Sequence, residues 1–196
     1  MKIVVCAPDE LIHELNDVKQ HFITCSKEEV NDVQADLLLY LFEDGAGQEF
    51  QSAKNILINS VADCLPDIGN QNKLLRMNGW PGFVQRSVWE VAGEINTDVA
   101  AAAALLGKKL LKCADQPGFV SARILAMIIN EAWFAKEEDI SSENEIDIAM
   151  KLGTGYPYGP FEWGNKIGLS RITGLLQALS IKNNIYTPAQ TLSSAI

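Results

Sequence analysis

The sequence predicts a parallel, doubly wound α/β domain followed by an all-helical one, and three observations carry that prediction. Short apolar runs alternate with segments of helical spacing through the first half. A turn-rich break, Asp115-Gln116-Pro117-Gly118, interrupts the chain past its middle. Beyond it, Ser121, Arg123, Asn130 and Glu131 are the only strongly polar side chains from Phe119 to Ala135. A helix drawn there is apolar on nearly every face, so it is expected to bury one side against its own domain and the other against a partner.

In chain order, residues 3–6 are a β-branched strand, and Leu11, Ile12, Leu15 and Val18 give residues 8–20 a helical period with Pro8 suited to the first turn. A second strand over 22–25 and a short helix from Ser26 lead to residues 37–42, a continuous apolar strand of the kind covered on both faces. A helix over about 47–53 and a fourth strand over 55–59 follow. Residues 74–77 and 88–91 read as later strands separated by the turn at 78–82. A helix over 97–106, with Thr97 as cap and Gly107 as stop, precedes a last strand over 109–113. The domains are accordingly drawn as 1–114 and 115–196, with Asp115 as a helix-start signal. The second domain holds the apolar helix to about Lys136, a helix over 143–152 opened by the Ser142-x-x-Glu145 capping box, and a helix over 170–181. Residues 151–161, rich in glycine and proline, read as a rigid connection.

A formal charge of -9 with 47% hydrophobic residues describes a globular, mildly acidic chain, and without a basic run nucleic acid is not an expected partner. The four cysteines, Cys6, Cys25, Cys64 and Cys113, form no CxxC pair, which suggests reduced thiols in a cytoplasmic protein and no metal site. Asp9 and Glu10 arrive too soon after the first apolar run for a secretory signal, and no stretch reaches the roughly 20 apolar residues of a membrane span.

Several ordered motifs resemble one family. Residues 112–120 read Lys-Cys-Ala-Asp-Gln-Pro-Gly-Phe-Val; Asn130-Glu131-Ala132, Glu145-Ile146-Asp147-Ile148-Ala149-Met150 and Gly153-Thr154-Gly155-Tyr156-Pro157-Tyr158-Gly159-Pro160-Phe161-Glu162 follow. Together they look like the carboxy-terminal domain of the 3-hydroxyacyl-CoA dehydrogenases. The resemblance is strong in the second half and weak in the first. It implies a shortened, reduced Rossmann-like domain, then a helical dimerisation domain like that at the carboxy terminus of 6-phosphogluconate dehydrogenase. It also implies NAD-dependent oxidation of L-3-hydroxyacyl-CoA, and a homodimer through the helix from Phe119 to Ala135. Tyr186-Thr187-Pro188 with Leu192 resembles the family's closing segment, so the expectation is of a complete carboxy terminus.

Laid residue by residue on the resemblance, the catalytic positions are depleted. The family's glycine-rich turn after the first strand reads Cys6-Ala7-Pro8-Asp9-Glu10-Leu11 here, without glycine, so no cofactor is expected to be held. The family's catalytic glutamate falls on Glu90, and its catalytic histidine on Pro81, which cannot take a proton. His13 and His21 lie in the first helix and before the second strand, away from that position. Glu90 alone also reads as a strand carboxylate beside a base such as Arg86. Val61 falls on the family's substrate-contacting hydroxyl residue, with Ser60 next door, and Ala122 on its asparagine. Ser60, Trp80, Tyr156 and Phe161 are the candidate substrate contacts, for an acyl-CoA or another apolar ligand. Core packing is the plainer role for the aromatic residues. The expectation is a catalytically degenerate member. Two alternatives stay open here, an active dehydrogenase with a non-standard cofactor mode and a purely structural dimeric protein.

Overall fold

The computed structural model describes residues 1–69 and 73–196, which pack as two compact units, Met1–Phe119 and Val120–Ile196. In the first unit the strands are β1 (Ile3–Cys6), β2 (Ile23–Thr24), β3 (Ala35–Tyr40), β4 (Ala53–Asn59), β5 (Leu74–Met77), β6 (Val88–Ala92) and β7 (Lys109–Lys112). They form one sheet in the order β2-β1-β3-β4-β5-β6-β7. The chain steps from β1 to β2 on one side and returns to β3 on the other, so the order reverses at β1, as in doubly wound folds. One strand, and a two-residue one, lies beyond β1 on that side. This is the reduced Rossmann-like domain expected from the sequence.

The sheet is mostly parallel rather than wholly so. β5 and β6 pair antiparallel, with Arg76 opposite Ala92 and Met77 opposite Val91, and β7 runs parallel to β6. The cause is the β5–β6 connection: residues 78–87 contain turns and no helix, and a parallel return needs a crossover. Both faces of the sheet are buried. Ile3, Val5, Leu37, Leu39, Leu57 and Trp89 share one core cluster, and Val4, Cys6, Leu38, Tyr40, Ile56 and Ile58 the other. Continuous apolar strands result, because adjacent residues point to opposite buried faces.

The helices of the first unit are shorter than their periodicity suggests. α1 spans Asp9–His13 and gives way to a 3-10 segment at Asn16–His21. The residues after Ser26 form turns rather than a helix. The helix expected over 47–53 does not form. A 3-10 turn at Glu43–Gly45 is followed by irregular chain in which Gly47 adopts a φ of 75°, and Ala53 already belongs to β4. α2 is Leu65–Ile68 and α3 is Thr97–Leu105. Asn96, not Thr97, caps α3, its side chain accepting from the Val99 N–H at 2.9 Å.

The helical unit contains α4 (Ser121–Glu137), α5 (Glu143–Thr154), α6 (Pro160–Ile167), α7 (Leu169–Ser180) and α8 (Gln190–Ser194). α6 was not expected from sequence. Its first turn begins at Pro160, and the buried Asp147 carboxylate accepts from the N–H groups of Phe161 at 2.8 Å and Glu162 at 3.0 Å. Gly159 is required there, since a Cβ would lie 2.3 Å from the Asp147 carboxyl carbon. The capping box at α5 forms as read: Ser142 Oγ accepts from Glu145 N, and Glu145 accepts from Ser142 N.

The division between units falls at Phe119, not at Ala114, because the intervening residues bond to the sheet unit. Gly118 N donates to Val61 O at 2.8 Å. Asp115 does not start α4; its carboxylate accepts from Leu65 N, at the first turn of α2, and from the Arg76 guanidinium.

Candidate functional site

The carboxyl ends of β4 and β5 bring together Asn59, Ser60, Asn78 and Gly79, and the reversed strand β6 adds Glu90. Asn59 Oδ1 accepts from Gly79 N at 3.0 Å while its Nδ2 donates to Leu41 O at 3.3 Å. Asn78 N donates to Glu90 O at 3.1 Å, and Asn78 Nδ2 lies 3.4 Å from Glu90 Oε2. Glu90 is 8% exposed, so its carboxylate is a buried group satisfied from within the protein rather than a surface charge. Arg86, expected as its partner, stacks on Phe83 at 3.9 Å from the ring centroid. Burial lowers the Arg86 guanidinium pKa, and the nearby Glu90 carboxylate opposes that shift.

The remaining predicted contacts divide between the two units. Ser60 donates its hydroxyl to Asp63 O at 3.1 Å, closing its own turn. Trp80 is 2% exposed and edge-on to Phe83, and Pro81 is buried in the same turn. Glu14 of the first helical segment holds that turn from outside, accepting from Gly82 N and Gln85 N. In the helical unit Phe161 is 5% exposed and packs on Trp133, whereas Tyr156 is 41% exposed. Ser60, Trp80, Pro81 and Glu90 thus belong to the sheet unit, and Tyr156 and Phe161 to the helical one.

Chemically the Glu90 cluster has a carboxylate and amides but no imidazole. An amide can orient a carboxylate; it cannot replace imidazole as a base. His13 is exposed on α1 with its Nδ1 3.1 Å from Asn16 Nδ2, and His21 is exposed in the 3-10 segment. Sequence reasoning missed Asn78 and Arg76. Arg76 is fully buried, and its guanidinium donates to Asp115, to Ser60 O at 3.1 Å and to Gln116 O, while stacking on Phe119. An arginine inside an otherwise apolar strand was the available signal.

The β1–α1 turn is the place where a dinucleotide diphosphate sits in doubly wound folds. Pro8 caps α1 and supplies no N–H, and the N–H groups of Leu11 and Ile12 are taken by Pro8 O at 3.0 and 3.1 Å. Asp9 and Glu10 occupy the first turn. Among the described residues no glycine before Gly47 has a positive φ, so this turn is built without the close backbone approach a diphosphate needs. A cavity of about 630 Å³ opens beside it, where Asp9, Glu28 and Glu29 outnumber Lys27, whose ammonium lies 4.2 Å from the Phe42 ring centroid. These residues do not fit a nicotinamide dinucleotide.

A doubly wound sheet unit followed along the chain by a five-helix unit defines a two-domain α/β-then-α architecture. Residues 118–195 match the family model of the 3-hydroxyacyl-CoA dehydrogenase C-terminal domain. A stretch of 93 residues is 45% identical to 3-hydroxyadipyl-CoA dehydrogenase of Escherichia coli (strain K12), covering 45% of this chain and 20% of that protein. The mitochondrial hydroxyacyl-coenzyme A dehydrogenase of Homo sapiens is 35% identical over 94 residues, covering 46% and 30%. Each match therefore spans well under two thirds of the relative. Among solved structures, (S)-3-hydroxybutyryl-CoA dehydrogenase from Ralstonia eutropha superposes with a TM-score of 0.70 at 17% identity, covering 99% of this chain and 93% of that one. 3-Hydroxybutyryl-CoA dehydrogenase from Escherichia coli K12 gives 0.62 at 30% identity, covering 79% and 34%. Residues 118–195 are thus similar to the carboxy-terminal domain of the 3-hydroxyacyl-CoA dehydrogenases.

Proposed function

We propose that this chain is a family member without nicotinamide redox chemistry, and that its working form is a homodimer joined through α4. The observation that carries the reading is the β1–α1 turn: a proline cap and two carboxylates stand where a diphosphate would need N–H donors. Pro81 in the place of the family's histidine, and Asn78 rather than imidazole beside Glu90, point the same way. The dimer reading is supported by the outer stripe of α4. Val120, just before the helix, is 51% exposed and Ile124 56%, and Met127, Ile128 and Phe134 are half-buried, while Leu125, Ile129 and Trp133 fill the unit's own core.

The purified chain should neither quench nor enhance NADH fluorescence and should not oxidise NADH with acetoacetyl-CoA, and light scattering should return the mass of a dimer. Stabilisation on heating with acetoacetyl-CoA but without turnover would add a retained acyl-CoA site to this reading. Steady turnover would overturn it.

A further inference from the structure

We propose that Cys6 and Cys25 form a dithiol–disulfide site, oxidised by exchange with a low-molecular-weight disulfide, that fastens the edge strand β2 to β1. The register sets Val4 opposite Ile23 and Val5 opposite Thr24, and Cys25 N donates to Val5 O at 3.1 Å. One further step along each chain places Cys6 against Cys25. Both side chains point to the same face, Cys6 within one core cluster and Cys25 packed against it, and the Cys6 side chain hydrogen-bonds the Cys25 thiol. Neighbouring strands lie about 4.8 Å apart, inside the roughly 4.4–6.8 Å that a disulfide spans between Cα atoms.

Exposure gives the two sulfurs different roles. Cys6 is fully buried, whereas Cys25 is partly exposed and lines the cavity of about 630 Å³ at the carboxyl ends of β1 and β2. The Cys25 thiol loses its proton and attacks one sulfur of the external disulfide, which releases the first small thiol and leaves a mixed disulfide on Cys25. The Cys6 thiol then gives up its proton, and its sulfur attacks that of Cys25, releasing the second small thiol. Two protein thiols are oxidised and one external disulfide is reduced to two thiols. Burial pushes the Cys25 thiol up, the Cys6 hydrogen bond opposes this, and Glu29 adds to the rise, so the exchange accelerates toward alkaline pH. Cys64 and Cys113 are internal controls: their sulfurs lie 3.7 and 3.6 Å from the carbonyl oxygens of Asp115 and Leu111. The proposal is independent of the redox-silent, dimeric reading above.

The full chain, incubated with oxidised glutathione at mildly alkaline pH, should lose the mass of two hydrogens. Non-reducing peptide mapping should recover a Cys6–Cys25 crosslink, and amide exchange over residues 23–29 should slow. Joint replacement Cys64→Ser and Cys113→Ser should leave that mass loss intact, while Cys25→Ser abolishes it. The wild-type mapping needs no variant and so does not depend on how any substitution folds. A full thiol titre after oxidation, a glutathione adduct that persists on Cys25, or a crosslink through Cys64 or Cys113 would each overturn the assignment.

Discussion

Arg76 shows at the level of a single side chain what the strand sequence conceals. Its guanidinium has no exposed surface, yet its acidic partner Asp115 lies 39 residues further along the chain and is 30% exposed. No local pattern links the two; a β5 residue and a segment past β7 meet through the order of the sheet, which leaves Asp115 looking like the start of a helix. Removing one partner of a buried ion pair strands the other, at a cost of about 3–5 kcal/mol. Arg76 would keep its bonds to Ser60 O and Gln116 O, which places Asp115→Ala near the lower figure, about 3 kcal/mol. Urea unfolding of the two proteins measures this; a loss below about 1 kcal/mol, the scale of an exposed pair, would show that the charge is not needed. Arg76→Lys should be nearly as harmful, because an ammonium cannot present the same planar fork to a carboxylate and two carbonyls.

Among the elements, legibility followed how far the deciding contact lay. The apolar strands were visible because burial on both faces leaves continuous runs such as residues 37–41. The box opening α5 was visible because its two members are three residues apart. α6 was hidden because its cap comes from Asp147 on another helix, and the glycines and prolines before it read as a loop. Asp147→Ala should therefore cost about 1–2 kcal/mol, the upper part of the range for a lost helix cap. Thermal or urea unfolding checks it, and an unchanged midpoint would mean that water replaces the carboxylate. The helical unit should also be acid-sensitive. Glu145 is held below its ordinary 4.5 first by the Ser142 hydroxyl and then by Ser141, Glu162 first by Lys151 and then by Gly159 N, and Glu137 by the backbone and side chain of Thr191. A carboxylate with a depressed folded pKa contributes stability that is present above its unfolded pKa and lost as pH falls through the folded one. The melting temperature should thus hold steady above the ordinary 4.5 and decline below it. Glu145→Gln combined with Glu162→Gln should flatten that decline.

For the whole molecule, the likeness to known proteins is uneven between the two units. The helical unit carries nearly all of the family-model match, residues 118–195, and an outer apolar stripe on α4, whereas the proposed loss of chemistry lies in the sheet unit. If α4 joins two copies, placing a carboxylate on its exposed stripe should separate them. Ile124→Glu is suited to this, since Ile124 is 56% exposed within one chain and its replacement leaves the unit's own core untouched. Light scattering should report the monomer mass with helical circular dichroism unchanged. A variant that remains dimeric would move the interface elsewhere.

The proposed absence of nicotinamide redox chemistry rests on two separate positions, so partial repair tests it. Pro81→His returns an imidazole to the turn that carries Trp80 and Phe83, near Asn78 and Glu90 on the paired strands. A general base contributes about 10²–10⁴ in rate, but only where both reactants are held. With Pro8 capping α1 and Asp9 and Glu10 in its first turn, the repaired chain should still show no NADH-dependent turnover of acetoacetyl-CoA. If the single substitution produced steady turnover, the β1–α1 turn would not be the proposed barrier, and Pro81 would be the deciding position. Should turnover instead appear only when Pro8, Asp9 and Glu10 are also replaced by a glycine-bearing turn, the two depleted positions would be shown to act jointly. That is the expected pattern when one site lacks its cofactor cradle and the other its base.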